Sequence, residues 1–334
     1  MDMTILSPEQ AAGQRLMVGF DGIEFNPELR FLIDTLKVGG IIFFAVNLKN
    51  PEQIKELCAS IQAYARSCGQ PPLFIAIDQE GGRVARLKEP LTQFPGNPNM
   101  KGSEDARVFA RTTSNELRTL GINMNMAPVI DVVPEGVEGV MIDRVFGHDP
   151  TWVSQLGMVV IEYFQANKIM AVAKHFPGIG RTILDSHLEM PDLETDVEAM
   201  ETSDLIPFQA AIRHNVAGIM LSHILYKKMD PHWPASLSTA IAGDLLRRRM
   251  GYGGLTITDD LDMGAIKKNY DINTVIRRIL LSDIDIALIC HAGPDIENAS
   301  KEILDAQSQS ESIRTKGVES LRRIFKLKSK YLQS

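Results

Sequence analysis

Cysteine is scarce in this chain: Cys58, Cys68 and Cys290 are the only three in 334 residues, and none forms a Cys-x-x-Cys pair. An odd, scattered set cannot build a disulfide framework, so reduced thiols in a reducing compartment are expected. Long apolar runs are missing too. The longest, such as Val38 to Val46, is far too short to span a bilayer, so no membrane association is expected. The opening Met1-Asp2-Met3-Thr4 has neither the basic region nor the apolar stretch of a secretory signal, which makes the cytoplasm the expected location. Basic charge is also in deficit. A net charge of −7 disfavours nucleic-acid binding, which normally needs a basic patch. The two most basic stretches, Arg247-Arg248-Arg249 and Lys326 to Lys330, fall in helix-like segments and read as solvated faces. Low-complexity tracts, long linkers and composition shifts are absent, so a single domain over residues 1–334 is expected.

What the chain does have is a regular alternation of short apolar runs and amphipathic helices. The candidate strands are Leu16 to Phe20, Gly40 to Phe44, Leu73 to Ile77, Ile122 to Ala127, Ile169 to Ala173, Gly218 to Leu221, Leu255 to Thr258 and Ile284 to Ile289. Helix starts lie between them: Asn50-Pro51 with Gln53, Ser103 before Glu104 and Asp105, and Ser238. This pattern predicts a closed (β/α)8 barrel of the TIM type. A doubly wound open sheet is the alternative, but it needs a glycine-rich phosphate turn, and Gly19-Phe20-Asp21-Gly22 is a poor one.

Polar residues gather where these strands stop. Asp78-Gln79-Glu80 follows the third, Asp131 the fourth, Lys174-His175 the fifth, Ser222-His223 the sixth, Asp259-Asp260 the seventh and His291 the eighth. A single aspartate at a helix start is unremarkable. Ionisable groups at strand after strand are not, because partly buried charge is costly and a barrel brings these ends to one face. The loop Phe176 to Pro191 adds glycines and the spacing Asp185-Ser186-His187, in which the carboxylate can hold the imidazole as a proton shuttle.

These residues resemble glycoside hydrolase family 3, in its branch of single-domain bacterial β-N-acetylglucosaminidases. The likeness rests on Lys174-His175-Phe176-Pro177-Gly178-x-Gly180 followed by Asp185-Ser186-His187, and on Ile77-Asp78-Gln79-Glu80-Gly81-Gly82-Arg83-Val84 with Arg86. It extends through Asn123-x-Asn125-x-Ala127-Pro128-Val129-x-Asp131, Asp143-Arg144-x-Phe146, Pro234-Ala235-Ser236-Leu237-Ser238 and Thr258-Asp259-Asp260-Leu261-x-Met263, roughly residues 10 to 295.

The resemblance implies a retaining β-N-acetylhexosaminidase with Asp259 as nucleophile and His187, held by Asp185, as acid/base. It implies that Asp78, Arg86, Arg144, Lys174 and His175 bind the terminal sugar, with His223 a further binding candidate at its strand end. It further implies a monomer that uses no cofactor or metal and acts on small N-acetylglucosamine-containing cell-wall fragments, without nucleic-acid or membrane partners. Two departures stand out: Ile179 where the family has histidine, and Ile142 where it has glycine, a β-branched residue expected to reshape the pocket rim. Phosphorolysis on the same fold, metal-dependent hydrolysis and a non-catalytic sugar-binding barrel are the competing readings.

Overall fold

Eight parallel strands close into a barrel in the computed structural model, which describes residues 6–332. Residues 1–4, read above for a leader, lie outside the described residues. The strands are β1 (Leu16–Val18), β2 (Gly40–Phe43), β3 (Phe74–Ile77), β4 (Met124–Asn125), β5 (Met170–Phe176), β6 (Gly218–Leu221), β7 (Leu255–Asp260) and β8 (Ile286–Ile289). They follow one another around the barrel in chain order, and β1 closes on β8 with Leu16 opposite Ala287. That closure makes the fold a (β/α)8 barrel, and the open-sheet alternative falls. Parallel strands covered on both faces must be apolar on both, which is why these runs stood out in the sequence.

The edges of the elements differ from expectation in instructive ways. β4 is only two residues long. Irregular bonds continue the contact instead, with Met126 N donating to Ile77 O at 2.9 Å and Lys174 N to Pro128 O at 3.1 Å. β5 and β7 run further than expected, placing Lys174-His175 and Asp259-Asp260 within the strands themselves. Asn50 caps the helix Pro51–Ser67 as read, its side chain accepting from Gln53 N. Ser238 likewise caps the π-helical segment Thr239–Arg249. Ser103 does not cap its helix. Gly102 holds that position, and Asp105 reaches back to accept from Lys101 N at 2.7 Å.

Methionines Met17, Met124, Met126, Met170 and Met220 fill the barrel interior together with Phe74, Val172, Ile257 and Leu288. Flexible thioethers suit such an irregular space. The C-terminal helix Glu311–Leu332 closes the lower end, adding Ile324, Leu327 and Tyr331 to this cluster. Among the described residues no helix is long and apolar enough to cross a membrane.

The basic stretches are not simply solvated faces. Arg247 is half-buried and pairs with the buried Asp285, Nη2 to Oδ2 at 2.6 Å. Lys328 is buried, donating to Gln14 Oε1 at 2.6 Å and to Gly39 O at 3.0 Å. Burial pulls the Lys328 ammonium down to about 7. The unfolded chain then holds more protons than the folded one between about pH 7 and about pH 10.4. Over that window stability rises with pH, by up to about 1.4 kcal/mol per unit, and below it the penalty is present in full. Lys328→Met should flatten this slope. The melting-temperature difference, variant minus wild type, should shrink steadily from pH 7 to pH 10; a constant difference would mean the amine is charged throughout.

Candidate active site

A cavity of about 310 Å³ opens at the C-terminal ends of the strands. Its wall includes Asp78 and Glu80 after β3, Lys174 and His175 from β5, and Asp259 and Asp260 from β7. Arg86 and Arg144 complete the floor, while Asp185, Ser186 and His187 form part of the rim.

The floor is a chain of alternating charges. Lys174 Nζ lies between Asp78 Oδ1 (2.8 Å) and Glu80 Oε1 (2.7 Å). Arg144 grips Glu80 with a two-pronged fork, Nε to Oε2 at 3.0 Å and Nη2 to Oε1 at 2.7 Å. Arg86 reaches the other oxygen of Asp78 at 3.4 Å, its guanidinium lying over the Phe44 ring. Burial alone would raise both carboxyls. The neighbouring cations outweigh it, chiefly Lys174 with Arg86 at Asp78 and Lys174 with Arg144 at Glu80, so Asp78 sits at about 2 and Glu80 below the usual range. Ionised groups with spare hydrogen-bonding capacity at the bottom of a pocket suit recognition of a polyhydroxylated ligand.

Lys174 is so enclosed that its loss would strike the fold as well as any ligand. Lys174→Ala removes the shared cation between Asp78 and Glu80 and leaves each carboxylate with one arginine, which should cost about 1–3 kcal/mol. Arg86→Ala, at the more open end, should cost no more than about 1 kcal/mol. Urea unfolding of the two variants checks this; equal losses would mean that Lys174 is not the keystone.

His175 is oriented from behind. Its Nδ1 pairs with Asp131 Oδ2 at 2.8 Å, and Asp131 also accepts from His175 N and Ile179 N. Nε2 is thereby left on the cavity side, 3.5 Å from Arg144. Asp131 was visible as a strand-end aspartate, but nothing in the sequence joined it to His175.

Asp259 projects from the end of β7, with Oδ1 accepting from Asp260 N at 2.9 Å. Burial pushes its carboxyl up, but His175, His223 and that amide bond more than compensate and hold it below the ordinary value. Its neighbour behaves oppositely. Burial, with Asp262 and Asp259 nearby, raises Asp260 to about 6. Two adjacent carboxyls thus differ in readiness to ionise, which marks Asp259 as the stronger anion near neutral pH.

His187 and Asp185 meet at the rim. Asp185 Oδ1 accepts from both His187 N (2.9 Å) and His187 Nδ1 (2.7 Å), a turn set by the Asp-x-His spacing. Burial works slightly against the anion here, yet these bonds lower the Asp185 carboxyl. The loop's base is tied down by Arg181 to Asp204 at 2.8 Å and by Tyr226 Oη donating to Gly178 O at 2.8 Å. Gly180 packs against the carbonyl of Val132 where no side chain would fit.

His223 is not in the cavity wall. It is 1% exposed, and both ring nitrogens are taken, Nδ1 by Ser236 Oγ and Nε2 by the Asp260 carbonyl. Burial lowers its pKa, and it lies behind Asp259 as a support for the wall. Ile179 does line the cavity, whereas Ile142 is 43% exposed and does not; Val140 and Met141 form that stretch of rim. Beyond the sequence assignments, Arg83, Phe44 and Met263 also line the cavity. Asp260, Asp262 and His291 bring possible ligand atoms within 4.8 Å of one another, a donor set of the kind that suits a divalent ion. Lys267 already holds Asp262 at 2.7 Å.

Comparison with known proteins gives a consistent picture. The family model described as "Glycosyl hydrolase family 3 N terminal domain" matches residues 9–327. A Beta-hexosaminidase A of Pseudoalteromonas piscicida is 37% identical, over 92% of this chain and 56% of its own length. A Beta-hexosaminidase of Alkalilimnicola ehrlichii is 35% identical, over 83% of this chain and 80% of its own. Among solved structures, a glycoside hydrolase family 3 beta-N-acetylglucosaminidase from Paenibacillus superposes with a TM-score of 0.93 at 36% identity, covering 98% of this chain and 63% of that one. The chain therefore spans 56% and 63% of the length of two of these relatives.

Proposed function

The chain belongs to glycoside hydrolase family 3, and from that premise we propose that it is a retaining β-N-acetylhexosaminidase that removes terminal β-linked N-acetylglucosamine. The observation that carries the reading is one cavity holding both an ionised strand-end carboxylate, Asp259, and an imidazole–carboxylate pair at its rim, His187–Asp185. Asp259 attacks the anomeric carbon while His187 gives its proton to the departing oxygen. A glycosyl-aspartate results, and the neutral imidazole then takes a proton from water as water displaces Asp259. Asp260, raised to about 6, adds less negative charge beside the attacking oxygen than an ordinary carboxylate would. Asp78, Arg86, Arg144, Lys174 and His175 bind the sugar hydroxyls. The proposed setting is a monomer in the cytoplasm acting on muropeptide fragments during cell-wall recycling, as the sequence resemblance implies.

The test is turnover of 4-nitrophenyl sugars that differ at C2, with and without phosphate and with EDTA. The N-acetylglucosaminide should be cleaved far faster than the glucoside, and EDTA should have no effect. No turnover of any substrate would favour a sugar-binding barrel. One observation supports a second reading of the second step. Arg83 lines the rim, is exposed and has no hydrogen-bonding or ion-pair partner among the described residues, so it could receive phosphate in place of water. Release of sugar 1-phosphate would establish that route.

A further inference from the structure

The loop carrying His187 gains little from apolar burial. Ile183, Leu184 and Leu188 all lie at the surface, and the His187 side chain is 67% exposed. Its position must come from hydrogen bonds, and those that reach its tip from outside the loop have one source. Ala265 N donates to Ser186 O at 3.1 Å, Gly264 N to His187 O at 3.0 Å, and Lys268 Nζ to Leu188 O at 2.8 Å. Three successive carbonyls centred on the imidazole-bearing residue are therefore held by the segment that follows β7, the strand of Asp259.

That segment is itself well fixed. Met263 N bonds Asp260 O at 3.1 Å, Ile266 N bonds Met263 O at 2.9 Å, and Gly264, Ala265 and Ile266 are buried. Gly264 cannot carry a side chain without moving the loop, since a Cβ there would lie 2.5 Å from Leu188 O and 2.7 Å from His187 O. Both obstacles are backbone atoms, so the strain could be relieved only by a shift of the loop that carries His187.

We propose that Gly264 and Lys268 are positioning residues that tie the acid/base loop to the nucleophile strand and set the height of His187 over the sugar. This rests on the reading of His187 as acid/base. Proton transfer tolerates little displacement, and a shift of about 1 Å can cost about 100-fold in rate. The clamp makes no contact of its own with the floor of the pocket, so it should govern proton transfer rather than sugar binding.

The experiment compares Gly264→Ala and Lys268→Met with wild type on aryl N-acetylglucosaminides of graded leaving-group pKa, alone and combined with His187→Ala. Gly264→Ala should lose about 10- to 100-fold in kcat/KM on the poorest leaving groups and much less on the best. Affinity for a competitive sugar inhibitor should stay near wild type, and the variant should remain folded with at most a modest fall in melting temperature. On the best leaving groups, where breakdown of the glycosyl-enzyme limits kcat, azide should restore part of the kcat loss. In a His187→Ala background the same change should cost less than about twofold, because the group it positions is gone. Lys268→Met, on an exposed side chain that tolerates substitution, should show the same pattern at smaller size, with Lys268→Arg restoring it. Equal losses on good and poor leaving groups, or full additivity with His187→Ala, would reduce the clamp to scaffolding. If His187→Ala itself shows no leaving-group dependence, the acid/base reading fails first and the clamp falls with it.

Discussion

Asp259→Asn is expected to abolish nearly all glycoside hydrolysis in a protein that still folds. The amide keeps the shape of the side chain, and its oxygen can still accept from Asp260 N as the carboxylate does at 2.9 Å. What disappears is the anion that attacks carbon. Loss of a covalent nucleophile should lower kcat by at least about 10³-fold. The floor of alternating charges around Lys174 does not include Asp259, so inhibitor affinity should survive better than rate. The natural rival is Asp260, on the same strand and in the same cavity wall. Its Oδ1 already accepts from Asp262 N and Cys290 N, which makes it a structural clasp rather than a free nucleophile. A folded Asp259→Asn enzyme with near-normal turnover, together with an inactive Asp260→Asn, would exchange the two roles.

The barrel strands were legible because each is an apolar run closed by turn and helix signals, and the polar residues at their ends stood out against that background. Depth was not legible. Lys174 and Asp78 are 96 positions apart, so the sequence could offer both as sugar ligands without showing that one neutralises the other. His223 ends a strand like the rest, but its ring turns behind the wall to Ser236 and the Asp260 carbonyl. The C-terminal basic run misled for a different reason. Its charges mask a helical period, in which Lys328 shares a buried stripe with Ile324, Leu327 and Tyr331. The clamp on the catalytic loop was beyond reach altogether, because its acceptors are backbone carbonyls and every residue has one.

His187→Ala should separate the two chemical steps. In the folded enzyme Nδ1 faces Asp185 Oδ1 at 2.7 Å, which leaves Nε2 as the nitrogen that can meet the glycosidic oxygen. With a 4-nitrophenyl substrate the leaving group needs little protonation, so formation of the glycosyl-enzyme should slow only modestly. Hydrolysis of that intermediate still needs a base. The intermediate should accumulate, giving a burst of nitrophenol followed by turnover slowed by about 10²–10⁴-fold. Azide, which attacks without losing a proton, should restore the rate and yield the glycosyl azide. With a sugar as leaving group both steps should suffer and no burst should appear. Asp185→Asn should give a milder form, because the amide oxygen can still receive the His187 backbone N–H but no longer stabilises an imidazolium. Equal deficits on good and poor leaving groups without anion rescue would remove His187 from the mechanism. The structure leaves few substitutes: Glu80 is locked between Arg144 and Lys174, and both nitrogens of His223 are engaged. That result would move the search to the cavity-wall groups that remain, His175 with Asp131 behind it and Nε2 on the cavity side, and Asp260 with its carboxyl raised to about 6.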